Sequence, residues 1–506
     1  MVGGERLATM PGMVRVWRHQ FRRTTLLLLG CTAFVGGIGL AHAGFATDTV
    51  WCLVFGAVAA FGLYKKTWWA LVAIVLFGVA AGSIRGGIFQ QKLAVNNQVY
   101  YHKITIRAIA KEDGVYGSNT QMTFDAGEVI VLETGQHLAG KISLSGFGLN
   151  AVYQGDEMQA TGKLYPSLGS YQGRISYAQL QLIAHHDSLV SELRRKFTAG
   201  MQSALPEPLA SFAMGLLIGQ RASLPDTIKQ DLLMVGLTHI IAVSGYNLTI
   251  MLRASKGVFG KRSKRIATLL SFGLIAIFLL FAGTSASIVR AAIVSGLSIA
   301  TSYYGRQMKP LLLIMLAATI TAFVNPFYVW SDASWYLSFL AFYGVMVLGP
   351  LIQARWPGRW HESPVVAVAL ESLCAEAMTL PYVLFVFGQM SFIGLLANML
   401  VVALVPLGML LAMIAGLAGM LAGAVSGWLA WPARLLLTYM LDVAHLLASI
   451  PHIFIENQFL SLGEMLFCYL LVCTLTLALW SKTRKKRIIT DTNETYRASL
   501  NGAIRD

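Results

Sequence analysis

Polar side chains that could contact a charged substrate lie inside a largely apolar segment, residues 215–251. Its sequence is GLLIGQRASLPDTIKQDLLMVGLTHIIAVSGYNLTIM, in which Arg221, His239 and Asn247 stand among Leu, Ile and Val. Charged and amide groups are costly in hydrocarbon, so inside a membrane they normally face a protein interior or a water-filled path. This segment therefore indicates a function beyond anchoring.

Small residues in the same segment allow it to break or to pack closely. Gly236 and Gly245 permit either arrangement, and Ser244 lies beside the second of them. A broken helix is tolerated in a membrane only where it is buried or lines a cavity. We predict that the segment lines or gates a path, although a tightly packed helix pair built on small residues would give the same pattern.

Arg290 is a cation inside an apolar run, one helical turn after Ser287. It could line a path for phosphate groups, because positive potential attracts a polyanion. It could instead form a structural pair with a carboxylate such as Glu371 or Glu376. Because an unpaired buried Arg is costly, one of these two arrangements should hold.

Glu371 and Glu376 lie in a third apolar stretch, five residues apart. Five residues correspond to about 140° around a helix, so the two carboxylates do not share a face. A carboxylate pair for acid–base catalysis is therefore not expected. A cation-coupled site or a lock between two helices fits the pattern better.

The composition is that of a membrane protein. Of the 506 residues, 56% are hydrophobic and only 12% are charged, whereas soluble domains carry roughly 25% charged residues. Runs long enough to span a bilayer recur along the chain, and one net crossing falls between 207 and 252. The prediction is a polytopic α-helical membrane protein with about twelve crossings. The other spans are predicted at 24–44, 49–64, 67–84, 266–282, 286–304, 310–325, 333–352, 363–387, 391–418, 421–448 and 462–480.

The formal net charge of +15 follows a topological pattern. Of the 39 Lys and Arg residues, 24 fall in segments on one predicted side of the membrane, including 1–23, 253–265 and the tail from 481. Cytoplasmic loops carry such an excess, so we predict a multi-pass protein of the bacterial inner membrane with both termini in the cytoplasm. The excess is not in itself evidence of nucleic-acid binding, and the basic segments are expected to bind anionic membrane lipid.

A long insert, residues 95–189, has the pattern of β-strands. Short apolar segments alternate with Gly and Asp turn signals, and about five strands over this length suit a small β-barrel of the OB type. The topology makes this insert extracytoplasmic. The strands are predicted within Val99–Ala110, Gln121–Phe124, Gly127–Leu132, Gly140–Leu144, Met158–Leu164 and Arg174–Ile183.

The insert holds six basic and eight acidic residues, together with nine aromatic rings. The rings either fill the barrel core or stack on the bases of a single strand. The candidate contacts to DNA are Lys103, Arg107, Lys163, Arg174 and Tyr171.

Five regions follow from these patterns. They are N-terminal membrane helices (1–94), the OB-like β domain (95–189), an amphipathic or interfacial connector (190–229), a transmembrane bundle (230–480) and a basic cytoplasmic tail (481–506).

The five cysteines lie in apolar runs and show no metal-binding spacing. Free thiols inside the membrane are expected. We predict no metal site, no cofactor and no catalytic residue in this chain.

Several motifs resemble, in order, those of the ComEC family, the inner-membrane channel for DNA uptake in natural transformation. The segment Gly236–Gly245 (GLTHIIAVSG) resembles the family's Gly-Leu-Ser-His-Leu-Leu-Ala-Ile-Ser-Gly segment, and 217–221 (LIGQR) resembles the turn before it. The resemblance extends to 283–292 (GTSASIVRAA), 332–341 (DASWYLSFLA), 379–381 (TLP) and 394–398 (GLLAN). It covers about residues 45–480, including the insert where the family has an OB-like domain.

The resemblance implies a channel that passes single-stranded DNA into the cytoplasm. The β domain would receive the strand, and the implied partners are a cytoplasmic helicase or translocase and an extracytoplasmic DNA receptor. The candidate channel or gating residues are Arg221, His239, Ser244, Gly245, Asn247, Ser287, Arg290, Glu371, Glu376 and Asn398.

The chain departs from the family pattern in three places. Gln220 and Asn247 stand where the family often has Asp and His, so these positions are expected to position or gate rather than ionise. Many members also carry a metallo-β-lactamase-like domain, but this sequence has no His-x-His-x-Asp-His cluster. We therefore expect a non-enzymatic chain and a nuclease that is a separate protein.

One alternative belongs to another class of function. Glu371, Glu376 and Arg290 could form the site of an ion- or proton-coupled transporter for a small molecule or a lipid-linked substrate. A proton-coupled transporter should then lose flux in proportion when these Glu residues are replaced by Gln, whereas a DNA channel should suffer more from loss of Arg290.

Overall fold

The computed structural model describes residues 23–45, 47–65, 69–116, 121–149, 151–167, 171–185, 189–219, 224–241, 263–282, 286–306, 309–355 and 364–481. The chain divides into two compact units. The first contains the residues up to Gln90 together with Thr319–Pro326, and the second contains Gln91–Ala318 and Phe327–Asp506.

The first unit is built from apolar helices that pack closely through glycine. They are α1 (Arg23–His42), α2 (Thr49–Lys65) and most of α3 (Trp69–Val99). A Cβ added at Gly82 would lie 2.0 Å from the Phe34 carbonyl oxygen, so α1 and α3 approach backbone to backbone. Such contacts are typical of membrane helices, in which small residues allow close approach. The Arg85 guanidinium on α3 links this helix to the segment Thr319–Pro326 of the same unit by donating hydrogen bonds to the carbonyl oxygens of Phe323 and Val324.

The insert folds into a closed five-stranded barrel. The strand order β1-β5-β6-β4-β3 closes through an antiparallel pairing of β3 with β1, and the short β2 adds to β3. The strands are β1 (Lys103–Ala110), β2 (Val115–Tyr116), β3 (Met122–Val131), β4 (Ile142–Phe147), β5 (Glu157–Tyr165) and β6 (Gly173–Ala184). The predicted OB-like barrel is therefore confirmed in its strand number and closure.

Two strand predictions were wrong in detail. The segments predicted at 121–124 and 127–132 form the single strand β3, because a bulge absorbs the change of alternation between them. Glu128 lies at the bulge with φ 54°, and the register with β1 shifts there. Val99 ends α3 instead of starting β1, and its side chain packs into the barrel core.

The rest of the second unit is a helical bundle. Beyond the α-helices it contains a π-helical turn at Gly344–Leu348, a 3-10 turn at Val402–Leu404 and a small β-ladder between β7 (Met390–Ser391) and β8 (Phe454–Ile455). The helix α10 (Pro310–Val324) begins in this unit, and its residues from Thr319 belong to the first unit. The other described helices are α4 (Leu189–Ala204), α5 (Leu209–Ile218), α6 (Asp226–Met234), α7 (Thr238–Ile241), α8 (Lys264–Ala282), α9 (Ala286–Tyr303), α11 (Phe327–Ser331), α12 (Ala333–Tyr343), α13 (Gly349–Gln353), α14 (Pro364–Phe387), α15 (Gly394–Val401), α16 (Val405–Leu421), α17 (Ser426–Ala448) and α18 (Leu462–Ser481).

Helices long and apolar enough to cross a membrane occur in both units. Within the described residues there are six, and four shorter apolar helices accompany them. The chain is therefore a membrane protein, and the count of about twelve crossings stays a prediction. The six are Arg23–His42, Trp69–Val99, Ala333–Gln353, Ala369–Phe387, Gly394–Leu421 and Leu462–Ser481.

The connector predicted as amphipathic or interfacial, residues 190–229, contains α4, α5 and the start of α6, and the first two differ in character. In α4 one face is polar, and Phe197 and Met201 on the other face pack against α16. All ten residues of α5 are buried, because its sequence LASFAMGLLI offers no polar face to a surface. Within the connector, α5 is thus a core helix, which differs from the predicted interfacial character.

Candidate functional site

Basic and aromatic side chains meet on the outside of the barrel. The register pairs Lys103 of β1 with Lys163 of β5, and it pairs Tyr165 of β5 with Arg174 of β6. Alternate residues of a strand point to the same face, and all four of these side chains are exposed. The neighbouring Tyr101 is held by a hydrogen bond from its backbone N–H to the Leu164 carbonyl oxygen. We call Tyr101, Lys103, Lys163, Tyr165 and Arg174 the outer barrel surface.

The rings of this surface are presented to solvent. Tyr101 is 60% exposed, and its ring lies edge-on to Tyr165 with 5.9 Å between the centroids. The Lys163 ammonium lies 5.5 Å from the Tyr165 centroid, within the range of a cation–π contact. A second exposed pair, Phe147 and Tyr177, has centroids 6.4 Å apart.

The sequence left open whether the nine rings fill the core or face outward. The structure buries Phe124 and exposes Tyr101, Tyr116, Phe147, Tyr165 and Tyr177, while the remaining three are half-buried. Most of the aromatic rings therefore lie outside the barrel core, which consists mainly of Ile, Leu, Val, Ala and Met.

Two other residues that were predicted to contact DNA, Arg107 and Tyr171, already bind carboxylates of the barrel. Arg107 forms an ion pair with Glu157, and the hydrogen bond between them raises the pKa of Arg107 above its ordinary value. Tyr171 is half-buried and forms a side-chain hydrogen bond with Asp125, whose pKa is raised by burial. Neither belongs to the outer barrel surface as we define it.

Arg290 lies in the interior of the bundle. Its side chain is 0% exposed, and its Nη2 donates to the carbonyl oxygen of Ser334 at 3.0 Å and to the Ser334 Oγ at 2.8 Å. Its Nη1 lies 3.9 Å from Oδ2 of Asp332. Asp332 also caps α12, because its Oδ1 accepts a hydrogen bond from the Ser334 N–H at 2.9 Å.

The carboxylate beside Arg290 is therefore Asp332, and neither Glu371 nor Glu376 fills that place. Nε and Nη1 of Arg290 and Oδ2 of Asp332 are buried without a hydrogen-bond partner. The two charges thus attract each other over 3.9 Å without a direct hydrogen bond, and part of the hydrogen-bonding capacity of both side chains is unused. A signal was present in the sequence, because Asp332 precedes Ala-Ser at a helix start, where Asp is a favoured cap.

Glu376 and Asn398 lie where α14 meets α15. A Cβ added at Gly394, the first residue of α15, would lie 3.1 Å from Oε1 of Glu376. Oε2 of Glu376 and Oδ1 of Asn398 are buried without a hydrogen-bond partner. Glu371, five residues earlier on α14, is half-buried.

An open cavity of about 560 Å³, with a largely apolar lining that includes several charged side chains, lies between the turn after α4, α6 and α17. Nδ1 of His445 contacts Oδ2 of Asp231 at 2.8 Å, which links α17 to α6. Glu207, Arg434 and Asp442 also line the cavity. Asp442 and His445 lie three residues apart on α17, and no local sequence pattern reveals the partner of His445 on α6.

The family model for the competence protein matches residues 216–482, more than half of the chain. The chain belongs to the competence protein family. A curated relative, ComE operon protein 3 of Bacillus subtilis (strain 168), is 25% identical over 220 residues, which cover 42% of this chain and 27% of that protein. The chain therefore aligns with little more than a quarter of its relative. No solved structure matches the chain.

The competence-family match begins after the barrel and contains the buried and half-buried candidates of the bundle. Arg290, Asp332, Glu376 and Asn398 all lie inside it, whereas the outer barrel surface lies before it. The resemblance to the ComEC family is thus confirmed for the helical bundle.

The other candidates of the competence segment are only partly described. His239 is exposed in α7, with Nδ1 3.1 Å from the Gly236 carbonyl oxygen, and Ser287 is half-buried in α9. Arg221, Ser244, Gly245 and Asn247 lie outside the described residues. Their predicted place beside a path stays a prediction.

Proposed function

We propose that this protein is an inner-membrane channel that passes single-stranded DNA into the cytoplasm during natural transformation. Membership of the competence protein family supports a role in DNA uptake. The observation that carries the proposal for the strand itself is the outer barrel surface, where exposed rings and cations adjoin.

The chemistry of this surface suits a single strand with unpaired bases. Rings of Tyr101 and Tyr165 can stack on any base, because every base has a π-face. Lys103, Lys163 and Arg174 can contact the phosphates between stacked bases. Neither interaction selects a sequence, which suits a protein that must accept whatever DNA arrives.

The proposed orientation places the barrel outside and both termini in the cytoplasm, following the distribution of Lys and Arg. A strand would meet the barrel first and then the bundle. Arg221, His239, Ser244, Asn247 and Ser287 are the proposed lining or gating residues. Arg290 is held by Ser334 and Asp332, so its proposed role is to hold α9 against the start of α12 beside the path.

A cytoplasmic helicase or translocase and an extracytoplasmic DNA receptor are proposed partners. Only 27% of the relative aligns with this chain, so the activity of the whole relative is not transferred to it. Strand degradation is proposed to belong to a separate protein, because this sequence has no His-x-His-x-Asp-His cluster.

The test is binding of a fluorescent oligothymidylate to the full chain in nanodiscs. Tyr165→Ala should weaken binding by about 1–3 kcal/mol, the usual contribution of one stacked base. Lys163→Ala with Arg174→Ala should lower the slope of log K against log salt by about 0.7 for each phosphate that is no longer neutralised. Tyr116→Ala and Lys111→Ala are matched controls, since both residues lie on the barrel outside this surface.

Uptake in cells gives the decisive readout. Labelled DNA should bind normally at the cell surface when the gene is deleted, but it should not reach the cytoplasm. The Tyr165→Ala variant should fall between wild type and deletion. Normal internalisation without the gene, or equal losses in Tyr116→Ala and Tyr165→Ala, would contradict the proposal.

A further inference from the structure

Two tyrosines on the outside of the barrel have a backbone conformation that tyrosine rarely adopts. The φ angle is 67° at Tyr101 and 57° at Tyr177, in the left-handed region that is costly for a bulky residue. Their rings are also the two most exposed aromatic rings of the described barrel, at 60% and 68%. Strain that places a ring in solvent does not serve the core, and strained residues of this kind cluster at functional sites.

Each of these tyrosines lies beside a ring from another part of the barrel. The ring of Tyr101 lies 5.9 Å from Tyr165, between centroids, and the ring of Tyr177 lies 6.4 Å from Phe147. The first pair belongs to the outer barrel surface. The second pair, Phe147 and Tyr177, has the same construction, namely one left-handed tyrosine and one neighbouring exposed ring.

A bulge in β6 turns Tyr177 outward. Three residues of β6, 176–178, lie opposite two residues of β5, 162–163, because the register shifts there. Such a bulge re-aims the side chain that it contains. The buried Gln121 supports it, because its Oε1 accepts a hydrogen bond from the Tyr177 N–H at 3.4 Å.

The partner ring is brought close by glycine in β4. A Cβ added at Gly146 would lie 2.2 Å from the Ala178 carbonyl oxygen, so β4 and β6 approach each other as only glycine permits. Phe147 follows directly in β4, and Tyr177 directly precedes Ala178 in β6. The close approach of the two strands therefore sets the two rings side by side.

The exposed Lys163 of β5 lies between the two ring pairs. Its ammonium is 5.5 Å from the Tyr165 centroid, and it is one of the two residues that lie opposite the bulge at Tyr177. The backbones of Tyr101 and Tyr177 are separated by two strand spacings and two residues along a strand, or about 12 Å. A cation in this position can contact a phosphate between bases that are stacked on the two pairs.

We propose that Phe147 and Tyr177 form a second stacking position for single-stranded DNA, and that one strand occupies both ring pairs across Lys163. This inference rests on the proposed function and adds a minimum length to it. At a rise of about 3.4 Å per stacked nucleotide, the distance between the pairs corresponds to about four nucleotides. A dinucleotide can occupy one pair at a time, whereas a longer strand gains affinity because its second contact is intramolecular.

The test is equilibrium binding of fluorescent oligothymidylates, from a dinucleotide to an octanucleotide, to the full chain in nanodiscs. Wild-type affinity should rise steeply up to about four nucleotides and only slowly beyond. Tyr177→Gly should weaken octanucleotide binding roughly 5- to 150-fold, the range for loss of one stacked base. Dinucleotide binding should change little, because Tyr101 and Tyr165 are intact.

Thermal stability separates a binding role of Tyr177 from a structural one. Glycine adopts positive φ without steric cost, so the melting temperature of Tyr177→Gly should not fall below that of wild type. A residue that only supported the fold would lose stability and binding together. Phe147→Ala removes the other ring of the pair without changing the bulge and should show the same loss of octanucleotide binding.

Tyr116→Ala is the matched control, because this exposed ring belongs to neither pair and its hydroxyl donates to the Leu149 carbonyl oxygen. Wild-type octanucleotide binding by both Tyr177→Gly and Phe147→Ala would overturn the second position and leave the outer barrel surface in place. An equal loss in Tyr116→Ala would overturn it as well. If wild type bound no oligothymidylate of any length, the proposed strand contact would fail together with this inference.

Discussion

At the scale of single residues, the Arg290–Asp332 pair has the largest expected effect. Both side chains are almost fully buried, and the remaining polar atoms of the pair are incompletely satisfied. Removing one member of a buried ion pair leaves an uncompensated charge, which costs more than the pair itself contributes. The two residues should therefore be strongly coupled.

Arg290→Met and Asp332→Asn should each lower the free energy of unfolding by about 3–5 kcal/mol. The double variant should lose clearly less than the sum, because it leaves no buried charge unpaired. Thermal unfolding of the four purified proteins gives the coupling energy. Strictly additive losses would show that the two residues do not act as a pair.

The sequence predicted that Arg290 is either paired or on a path, but it could not name the partner. Asp332 is 42 positions away, and only the packing of α9 against α12 brings the two residues together. Glu376 was predictable as a carboxylate inside an apolar helix in the same limited sense. Its contact with the start of α15 depends on how α14 packs against Gly394, which no local pattern reveals.

At the scale of elements, glycine contacts decide how closely the helices pack. A Cβ at Gly419 of α16 would lie 1.8 Å from the Gly200 carbonyl oxygen of α4. That atom belongs to the backbone, so the clash cannot be relieved by rotating a side chain. The connector after the barrel is therefore seated on α16 by a contact that only glycine permits.

Gly419→Ala should force α4 and α16 apart and cost about 1–3 kcal/mol of stability. Gly427→Ala in α17 is the matched control, since a Cβ there meets nothing within 4 Å. That change should be neutral or stabilise by up to about 1 kcal/mol. Thermal melting of both variants measures the two stability changes. Equal changes in Gly419→Ala and Gly427→Ala would contradict the close contact between α4 and α16.

The element boundaries were mostly predictable because apolar run length and turn residues act locally. The helix predicted at 266–282 is observed at Lys264–Ala282, and the one at 310–325 at Pro310–Val324. The span predicted at 391–418 contains Pro406, which fits in the first turn of α16 after a 3-10 turn. Whether a helix is interrupted by such a 3-10 turn depends on tertiary packing, so hydropathy alone does not predict it.

At the scale of the whole molecule, basic residues set the expected orientation. The segments rich in Lys and Arg fall on one predicted side, and the barrel falls on the other. The same distribution accounts for most of the net charge, which explains why the barrel itself need not be basic.

Impermeant maleimide labelling tests this orientation in a variant without native cysteines. Gln136→Cys, in an exposed turn of the barrel, should react in intact spheroplasts. Arg306→Cys, exposed after α9, should react only after the membrane is permeabilised. Gln136 lies outside every predicted span, so its label reports the side of the barrel directly. The reverse pattern would invert the proposed topology.

The closed pairing of the barrel strands limits how this domain can recognise anything. Each of the five barrel strands is hydrogen-bonded on both sides, through β1–β5, β5–β6, β6–β4, β4–β3 and β3–β1. A ligand therefore cannot join them as an extra strand, which is how many domains capture extended peptides. Recognition then has to come from side chains on the convex outer face or in the loops between the strands. Such a face can release a long polymer one unit at a time, because every unit is held by the same few weak and equivalent contacts.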